Sequence, residues 1–369
     1  MYLLSESEEA QMKQILEHLR FGVHTFEISQ TLTKEQFQEV RHVARFRGKM
    51  IPSQGKQESY TLLDKERPGI TVTLHRLYHH RTYRVNVKIE PCRVLGSDDP
   101  TDLYRYSKES YQKLQKGCDR YLKTLRIPGG MEDMPVSRCD LTCNLIFENQ
   151  DYVDGYLRIL KKSRLIPGYK VDKFCVYEKK AKNPRRANKH SHCIRCKQAS
   201  LLCYDKIDQL KMDNRCPHEL EAAAILRLEA QLKRPALKRT LGKDDMKDNQ
   251  TLLKAASRQA IPAIQSYLAR IFPCRGLHLR YRDAVSAVEE VGKEKLRQQM
   301  SCLIRKMSDA ATWDSAVQNM RTQHYKNVSD KREKAIYSKF DALNINPITL
   351  PNSSSIKQVP SLIQLIEDS

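Results

Sequence analysis

A tyrosine and a lysine two positions apart, Tyr204 and Lys206, are the residues of this chain best suited to covalent chemistry. Two acidic residues, Asp140 and Glu229, stand in other strand-like segments, one on each side of this pair in the sequence. A phenol oxygen can attack a phosphodiester, a lysine can neutralise charge that develops on the phosphate, and carboxylates can bind Mg²⁺ or Mn²⁺. Together these residue types indicate phosphoryl transfer to a tyrosine.

The alternation of side chains along a strand predicts which of these residues meet. Residues two positions apart share a face, so Asp140 lies on the side of Asn144, and Glu229 on the side of Gln231. If the three strands are neighbours, their polar side chains converge above one sheet. We therefore predict two groups of site residues: the catalytic pair Tyr204 and Lys206, and the Mg²⁺ or Mn²⁺ ligands Asp140, Glu229, Gln231 and Asn144.

The elements that must position this site follow from hydrophobic periodicity. Strands are predicted over Ser137 to Phe147, Leu201 to Ile207 and Leu226 to Lys233, because apolar residues recur there at strand spacing. Ile70 to Leu74 and Tyr83 to Ile89 alternate in the same way and predict a hairpin. The fold class is therefore α+β: an antiparallel or mixed sheet with helices packed on it, followed by a mostly helical C-terminal region.

Helical spacing and start signals predict the remaining elements and the domain limits. Helices are expected over residues 6–20, from a capping box at Thr33 to about Arg47, and from Tyr104 to Thr124. The chain turns polar and charged around residues 240–250, which we interpret as a boundary. This divides the chain into a catalytic domain (1–240), a helical domain for DNA binding or oligomerisation (245–345) and a loosely held tail (346–369).

The charge balance indicates a polyanionic partner. Sixty-five Lys and Arg against 44 Asp and Glu give a net charge of +21 and a pI near 9.5. Such an excess favours nucleic acid, because each neutralised phosphate releases counterions. From Arg158 to Lys197 there are fourteen Lys or Arg and two acidic residues. The residues predicted to contact DNA there are Lys179, Lys180, Lys182, Arg185, Arg186 and Lys189.

Five segments of this chain resemble rolling-circle replication initiators of the filamentous-phage gene II type, which share motifs with plasmid initiators of Gram-positive bacteria. The order of the segments is specific, although each is short, and the likeness spans roughly residues 20–240. The segments are Val87 to Gly96, Thr101 to Leu103, Ser137 to Asp140, Leu201 to Lys206 and Leu226 to Arg234.

This resemblance implies that the protein nicks one strand of double-stranded origin DNA, holds the cut strand as a 5′-phosphotyrosine, and later closes it. Tyr204 matches the nucleophile, Lys206 the adjacent lysine, and Asp140 and Glu229 the acidic strand positions. Single-stranded DNA is an implied partner, and a host helicase and polymerase are candidates. The host is expected to be bacterial, with a phage, plasmid or integrated element as the replicon. The oligomeric state stays open.

Two alternative functions stay open beside the nickase. One is a non-enzymatic DNA-binding regulator of replication or transcription, in which the helical region reads DNA and the basic segment contacts phosphates. The other is a tyrosine recombinase, although those need a catalytic Arg/His set on a helical domain. No apolar run approaches the ~20 residues of a membrane span, and no signal-peptide pattern opens the chain. A cytoplasmic protein without a membrane partner is expected.

A cysteine and histidine cluster competes for the same region as a zinc site. Cys193 and Cys196 have ligand spacing, and Cys216 or His218 could complete a tetrahedron. Buried or surface thiols are the default interpretation, since there is no second clean pair with that spacing. His190 and His192 flank a polar residue, so the metal ligation of paired-histidine nickases is not carried over.

Overall fold

A ten-stranded antiparallel sheet forms the centre of the computed structural model, which describes residues 16–53, 58–64, 69–77, 82–172, 190–323 and 329–368. Its strands are β1 (Leu16–Leu32), β2 (Lys49–Ser53), β3 (Glu58–Leu63), β4 (Ile70–Leu77), β5 (Thr82–Ile89), β6 (Val136–Phe147), β7 (Lys170–Val171), β8 (Ser191–Arg195), β9 (Ala199–Asp205) and β10 (Ala224–Lys233). Their spatial order is β2-β3-β4-β5-β1-β6-β10-β9-β8-β7. The predicted α+β class is confirmed, and the described strands pair antiparallel.

Helices connect these strands and then make up most of the chain after β10. In the described part they are α1 (Lys34–Arg47), α2 (Pro91–Val94), α3 (Lys108–Thr124), α4 (Gln150–Lys161), α5 (Lys206–Met212), α6 (Arg234–Leu241), α7 (Asn249–Ile271), α8 (Tyr281–Glu289), α9 (Glu294–Asp309), α10 (Trp313–Gln323), α11 (Asp330–Ala342) and α12 (Leu362–Glu367). The predicted capping box opens α1, where the Thr33 side chain accepts from the Gln36 amide. The predicted hairpin is the β4–β5 pair.

Strand β6 is buried on both faces and separates the core from the polar site. Cys139, Leu141 and Cys143 point into the hydrophobic core, and α7 packs against β6 and β1 on that side. The alternate residues Asp140 and Asn144 are also buried, on the opposite face. A buried polar face is costly unless its groups are hydrogen-bonded, so these side chains must have partners.

Strand β1 contains a β-bulge that reverses which residues face the core. Its pairing with β6 steps from Val23 opposite Leu141 to Thr25 opposite Asp140, so that His24 is the extra residue. Just before it, the backbone approaches the neighbouring loop so closely that a Cβ on Gly22 would lie 2.4 Å from the Tyr104 carbonyl oxygen. Only glycine fits this approach at a φ of +156°. The bulge brings His24 to the polar face.

The C-terminal residues are part of the fold, so the predicted loose tail over 346–369 is wrong. Two short strands, β11 (His278–Leu279) and β12 (Gln358–Val359), pair with each other. Helix α12 buries Leu362, Ile363, Leu365 and Ile366, and these side chains join the same core cluster as those of the sheet and α7. The boundary expected near 240–250 therefore does not separate two hydrophobic cores.

Some element limits also differ from the prediction. Residues 16–20 begin β1 rather than ending a helix, since they pair with β6. Helix α3 begins at Lys108 instead of Tyr104, because Ser107 caps it and Tyr104 forms a bridge with Val23. Strand β9 ends at Asp205, whose carboxylate accepts from the amides of Ile207 and Asp208 and thereby starts α5.

Candidate active site

A cavity of about 330 Å³ lies over the polar face of the sheet, between β1, β5, β6, β9, β10 and α5. Charged and polar side chains make up nearly all of its wall. The basic residues are Lys88, Arg138, Lys206 and Arg215, and the acidic residues are Glu90, Asp140, Asp213 and Glu229. His24, Thr25, Leu202, Tyr204, Gln209 and Gln231 complete the lining. A concave site with convergent charges of both signs can bind and polarise an anionic group.

The three strands predicted to be neighbours are adjacent, in the order β6, β10, β9. Across them, Arg227 stands opposite both Asn144 and Tyr204, and Gln231 stands opposite Asp140. Glu229 therefore lies one strand and two residues away from Tyr204, on the same face. This diagonal relation is within reach of a long side chain.

Glu229 is the centre of the hydrogen bonding around the tyrosine. The Tyr204 hydroxyl donates to Glu229 Oε2 over 3.3 Å, which is long for an O–H···O bond. His24 Nδ1 lies 3.2 Å from the same oxygen, and Gln231 Nε2 donates to Glu229 Oε1 over 2.7 Å. An ionised carboxylate can only accept, so Nδ1 of a neutral His24 carries the hydrogen. Three strands thus hold one carboxylate.

Electrostatics keep Glu229 ionised and His24 neutral. Burial opposes ionisation of Glu229, but hydrogen bonds from His24 and Gln231 and the charge of Arg227 outweigh it and hold its pKa below the usual range. Burial, followed by the Arg227 cation, lowers the pKa of His24 below its ordinary value. The lowered pKa of His24 fits a neutral imidazole, and the lowered pKa of Glu229 fits an ionised carboxylate that accepts a hydrogen bond from it.

Lys206 reaches the cavity from the first turn of α5, not from a strand. Lys206 is only 4% exposed, and its Nζ donates to Gln209 Oε1 over 2.8 Å. Burial, and then the charge of Arg227, lower the pKa of Lys206 to about 6. Near neutral pH much of this lysine is therefore an uncharged amine. An anion beside it would favour the ammonium form.

Asp140 and Asn144, two of the predicted metal ligands, have other partners. Arg138 donates to both oxygens of Asp140, Nε to Oδ1 over 2.7 Å and Nη2 to Oδ2 over 2.6 Å, and the Thr25 hydroxyl also donates to Oδ2. Asn144 Oδ1 accepts from Arg227 Nε over 2.7 Å. Side chains that already accept from guanidinium groups are poor ligands for a cation.

The predicted set Asp140, Glu229, Gln231 and Asn144 therefore does not fit a divalent cation in this arrangement. Asn144 does not line the cavity and donates to the Thr101 carbonyl, and Gln231 uses its amide to hold Glu229. Within the described part of the chain, no group of three or more His, Cys, Asp or Glu is placed to bind a metal ion. This includes the zinc alternative: among the described residues, Cys193 and Cys196 are not part of a group that could bind zinc.

The segment predicted to contact DNA lies outside the described residues, because residues 173–189 are not among them. This applies to Lys179, Lys180, Lys182, Arg185, Arg186 and Lys189. Beyond the gap, β8 pairs with β9 and places Ser191 opposite Tyr204.

A scan against protein-family models and a search of curated proteins both find no match. The likeness to rolling-circle initiators thus depends on the short motifs themselves and on what their residues do in the fold. No helix among the described residues is long and apolar enough to cross a membrane.

Sequence reasoning missed several residues that form the site. The sequence suggests His24 only as one of several histidines that could act as general bases, although a histidine next to Thr25 in a strand that also contains Gly22 is compatible with a bulge. Arg138 and Arg227 share faces with Asp140 and Glu229 by alternation alone, so the same rule would have found both. Lys88 and Arg215 carry no local signal, because only the packing of β5 and α5 brings them to the cavity.

Proposed function

We propose that this protein is a site-specific single-strand DNA nickase and strand transferase that initiates rolling-circle replication of a phage, plasmid or integrated element. The observation that carries the proposal is the hydrogen bond from Tyr204 to Glu229 inside a cavity lined by Lys88, Arg138, Lys206 and Arg215. A phenol held by a carboxylate, next to cations that can neutralise a phosphate, has the parts required for attack on a phosphodiester. The high net positive charge supports a DNA substrate.

The chemistry can be written with these residues alone. The Tyr204 oxygen forms a bond to phosphorus while its proton moves to Glu229 Oε2. The bond from phosphorus to the 3′ oxygen breaks, and that oxygen takes a proton from the Lys206 ammonium, which forms when the phosphate enters. The products are a 5′-phosphotyrosine and a free 3′ hydroxyl. Strand closure is the reverse transfer, so it needs no other energy source.

Burial of the tyrosine restricts the form of the substrate. Tyr204 is only 8% exposed, and Leu202 and Cys193 pack against it. A phosphate in an intact duplex cannot enter a cavity of this size together with the second strand, whereas a single strand is thinner and flexible. The proposed substrate at the moment of cleavage is therefore an unpaired strand, with the duplex origin opened beforehand.

The same burial favours the second candidate, a non-enzymatic DNA-binding regulator. In such a protein, the Tyr204–Glu229 hydrogen bond only stabilises the sheet. The two candidates differ in whether a covalent protein–DNA adduct forms. Dependence on Mg²⁺ or Mn²⁺, which the residue types of the sequence predict, is tested by the same assay.

The experiment uses the full chain and a library of circular single-stranded DNA with a random window, incubated with Mg²⁺, Mn²⁺ or EDTA. Covalent adducts are captured after denaturation, the joined DNA is sequenced, and the modified peptide is mapped by mass spectrometry. We expect an adduct on Tyr204 and none with Tyr204→Phe, while DNA binding persists. Tyr152→Phe, on α4, is the matched control and should react like wild type. An adduct that persists in Tyr204→Phe would refute the assignment, and binding without any adduct would favour the regulator.

A further inference from the structure

The β-bulge in β1 places His24 where regular alternation would not. Before the bulge Val23 is in the core, and after it Phe26 and Ile28 are in the core, so the core-facing positions change from odd to even numbers. His24 and Thr25 are consecutive, yet both line the cavity. Bulges commonly redirect a side chain near a functional site.

At the cavity, His24 from β1 and Tyr204 from β9 contact the same oxygen of Glu229. The distances to Glu229 Oε2 are 3.2 Å from His24 Nδ1 and 3.3 Å from the Tyr204 hydroxyl. Gln231 holds the other oxygen, so the carboxylate is restrained on both sides. Without His24, Glu229 could rotate away from the phenol, and the cations that line the cavity would attract it.

We propose that His24 is a positioning residue: its hydrogen bond holds Glu229 Oε2 against the Tyr204 phenol. His24 does not have to touch the substrate for this role, because it acts through Glu229. The effect on the tyrosine is independent of what the protein does, whereas the effect on a reaction rate rests on the proposed function. These two effects can be measured separately.

The first measurement reports on the phenol itself. 3-Fluorotyrosine is incorporated at position 204 of the full chain, and its ¹⁹F signal is recorded without DNA. His24→Leu should move and broaden the signal, because the phenol loses its fixed acceptor. His24→Asn, which keeps an N–H donor close to the Nδ1 position, should restore most of the wild-type signal. His18→Leu, an exposed histidine of the same strand, is the control and should leave the signal unchanged.

The second measurement is single-turnover adduct formation with DNA selected from the library. His24→Leu should slow the step by about 10- to 100-fold, the size of the loss when the hydrogen-bond partner that orients a metal ligand is removed. His24→Asn should recover part of the rate. The DNA affinity of both variants should stay within about 2-fold of wild type, because His24 acts through Glu229 and its loss removes no contact with the bound DNA. Thermal unfolding of each variant establishes that it is folded.

The outcomes separate the two proposals. If His24→Leu folds and leaves both the ¹⁹F signal and the rate unchanged, the positioning role is wrong. If the signal changes in His24→Leu and recovers in His24→Asn while wild type forms no adduct, the positioning role stands and the nickase proposal fails. If His24→Asn is as impaired as His24→Leu in both measurements, the donor is not what matters, and the inference is overturned.

Discussion

Arg138 and Asp140, two residues apart on β6, form a pair of parallel hydrogen bonds of 2.7 Å and 2.6 Å. The same guanidinium also donates to Glu27 over 2.8 Å, so one arginine links two acidic residues of neighbouring strands. Asp140 is 1% exposed, and the Thr25 hydroxyl also donates to it. This connection between β6 and β1 stabilises the edge of the cavity. It makes Asp140 a structural acid rather than an open ligand.

Replacing Asp140 should therefore reduce stability more than it affects the chemistry. Asp140→Ala leaves Arg138 and Thr25 without their buried acceptor. We expect the free energy of unfolding to fall by about 2–3 kcal/mol. This is less than the loss for a fully buried ion pair, because Arg138 keeps its contact with Glu27. Chemical denaturation measures this loss. Asp244→Ala, at an exposed acid, should cost less than about 0.5 kcal/mol. Equal losses for both variants would contradict the structural role.

Lys206 should make stability depend on pH in a specific direction. Its pKa falls from 10.5 to about 6 on folding, so between these values the unfolded chain binds more protons at this position. The burial of Lys206 therefore lowers the free energy of unfolding by its full amount below pH 6. This penalty becomes smaller as the pH rises and disappears at about pH 10.5. Lys206→Met should be more stable than wild type at pH 7 by on the order of a few kcal/mol.

The measurement is the difference in free energy of unfolding between wild type and Lys206→Met, taken from pH 6 to pH 10. The contributions of titrating groups that both proteins share cancel in this difference. Lys254→Met, at an exposed lysine of α7, is the control and should show no such pH trend. A gain that grows with increasing pH would contradict the predicted sign. Lys206→Met should also lose adduct formation, if Lys206 protonates the leaving oxygen.

Arg227 should set the protonation of His24 through its charge. This arginine is fully buried and lies under the cavity, where it donates to Asn144 and to the Thr101 carbonyl. Burial is the main cause of the lowered pKa of His24, and the charge of Arg227 lowers it further, so Arg227→Met should raise that pKa in part, whereas Arg227→Lys should keep it low.

Nuclear magnetic resonance of the histidine ring protons follows this titration, with His24→Asn used to assign the signal. Both variants lose the hydrogen bond to Asn144, so both should be less stable than wild type. A comparable rise of the His24 pKa in Arg227→Lys would mean that the contacts of Arg227, and not its charge, are responsible.

The C-terminal helix should be required for stability. Ile363 is 1% exposed in α12, and Ile363→Ala should cost about 3 kcal/mol, in the range for a large apolar side chain removed from a core. Glu367→Ala, whose ion pair with Arg275 is exposed, should change stability by less than about 1 kcal/mol. Denaturation midpoints compare the two. If Ile363→Ala is as stable as wild type, α12 is only loosely attached.

Local pattern was enough to predict much of the sheet and one part of the site. Period-two alternation predicts the strands around Asp140, Tyr204 and Glu229, and the fold confirms these strands and places them side by side. The tail was predicted wrongly because Pro, Asn and Ser between 346 and 355 suggest a loop. The apolar run that follows, including Leu362 and Ile366, belongs to a short helix whose burial depends on a distant surface.

By itself, the sequence determined the α+β class, the faces of β6, β9 and β10, and the strong positive charge, because these depend on composition and on neighbours within a few residues. Only the tertiary structure decided which charges meet. His24 and Glu229 are 205 residues apart in the chain, and their contact requires a one-residue bulge that shifts the register of β1. The pairing of Asp140 is part local and part long-range: Arg138 lies two residues away on the same strand, whereas the Thr25 hydroxyl that also donates to Asp140 comes from β1.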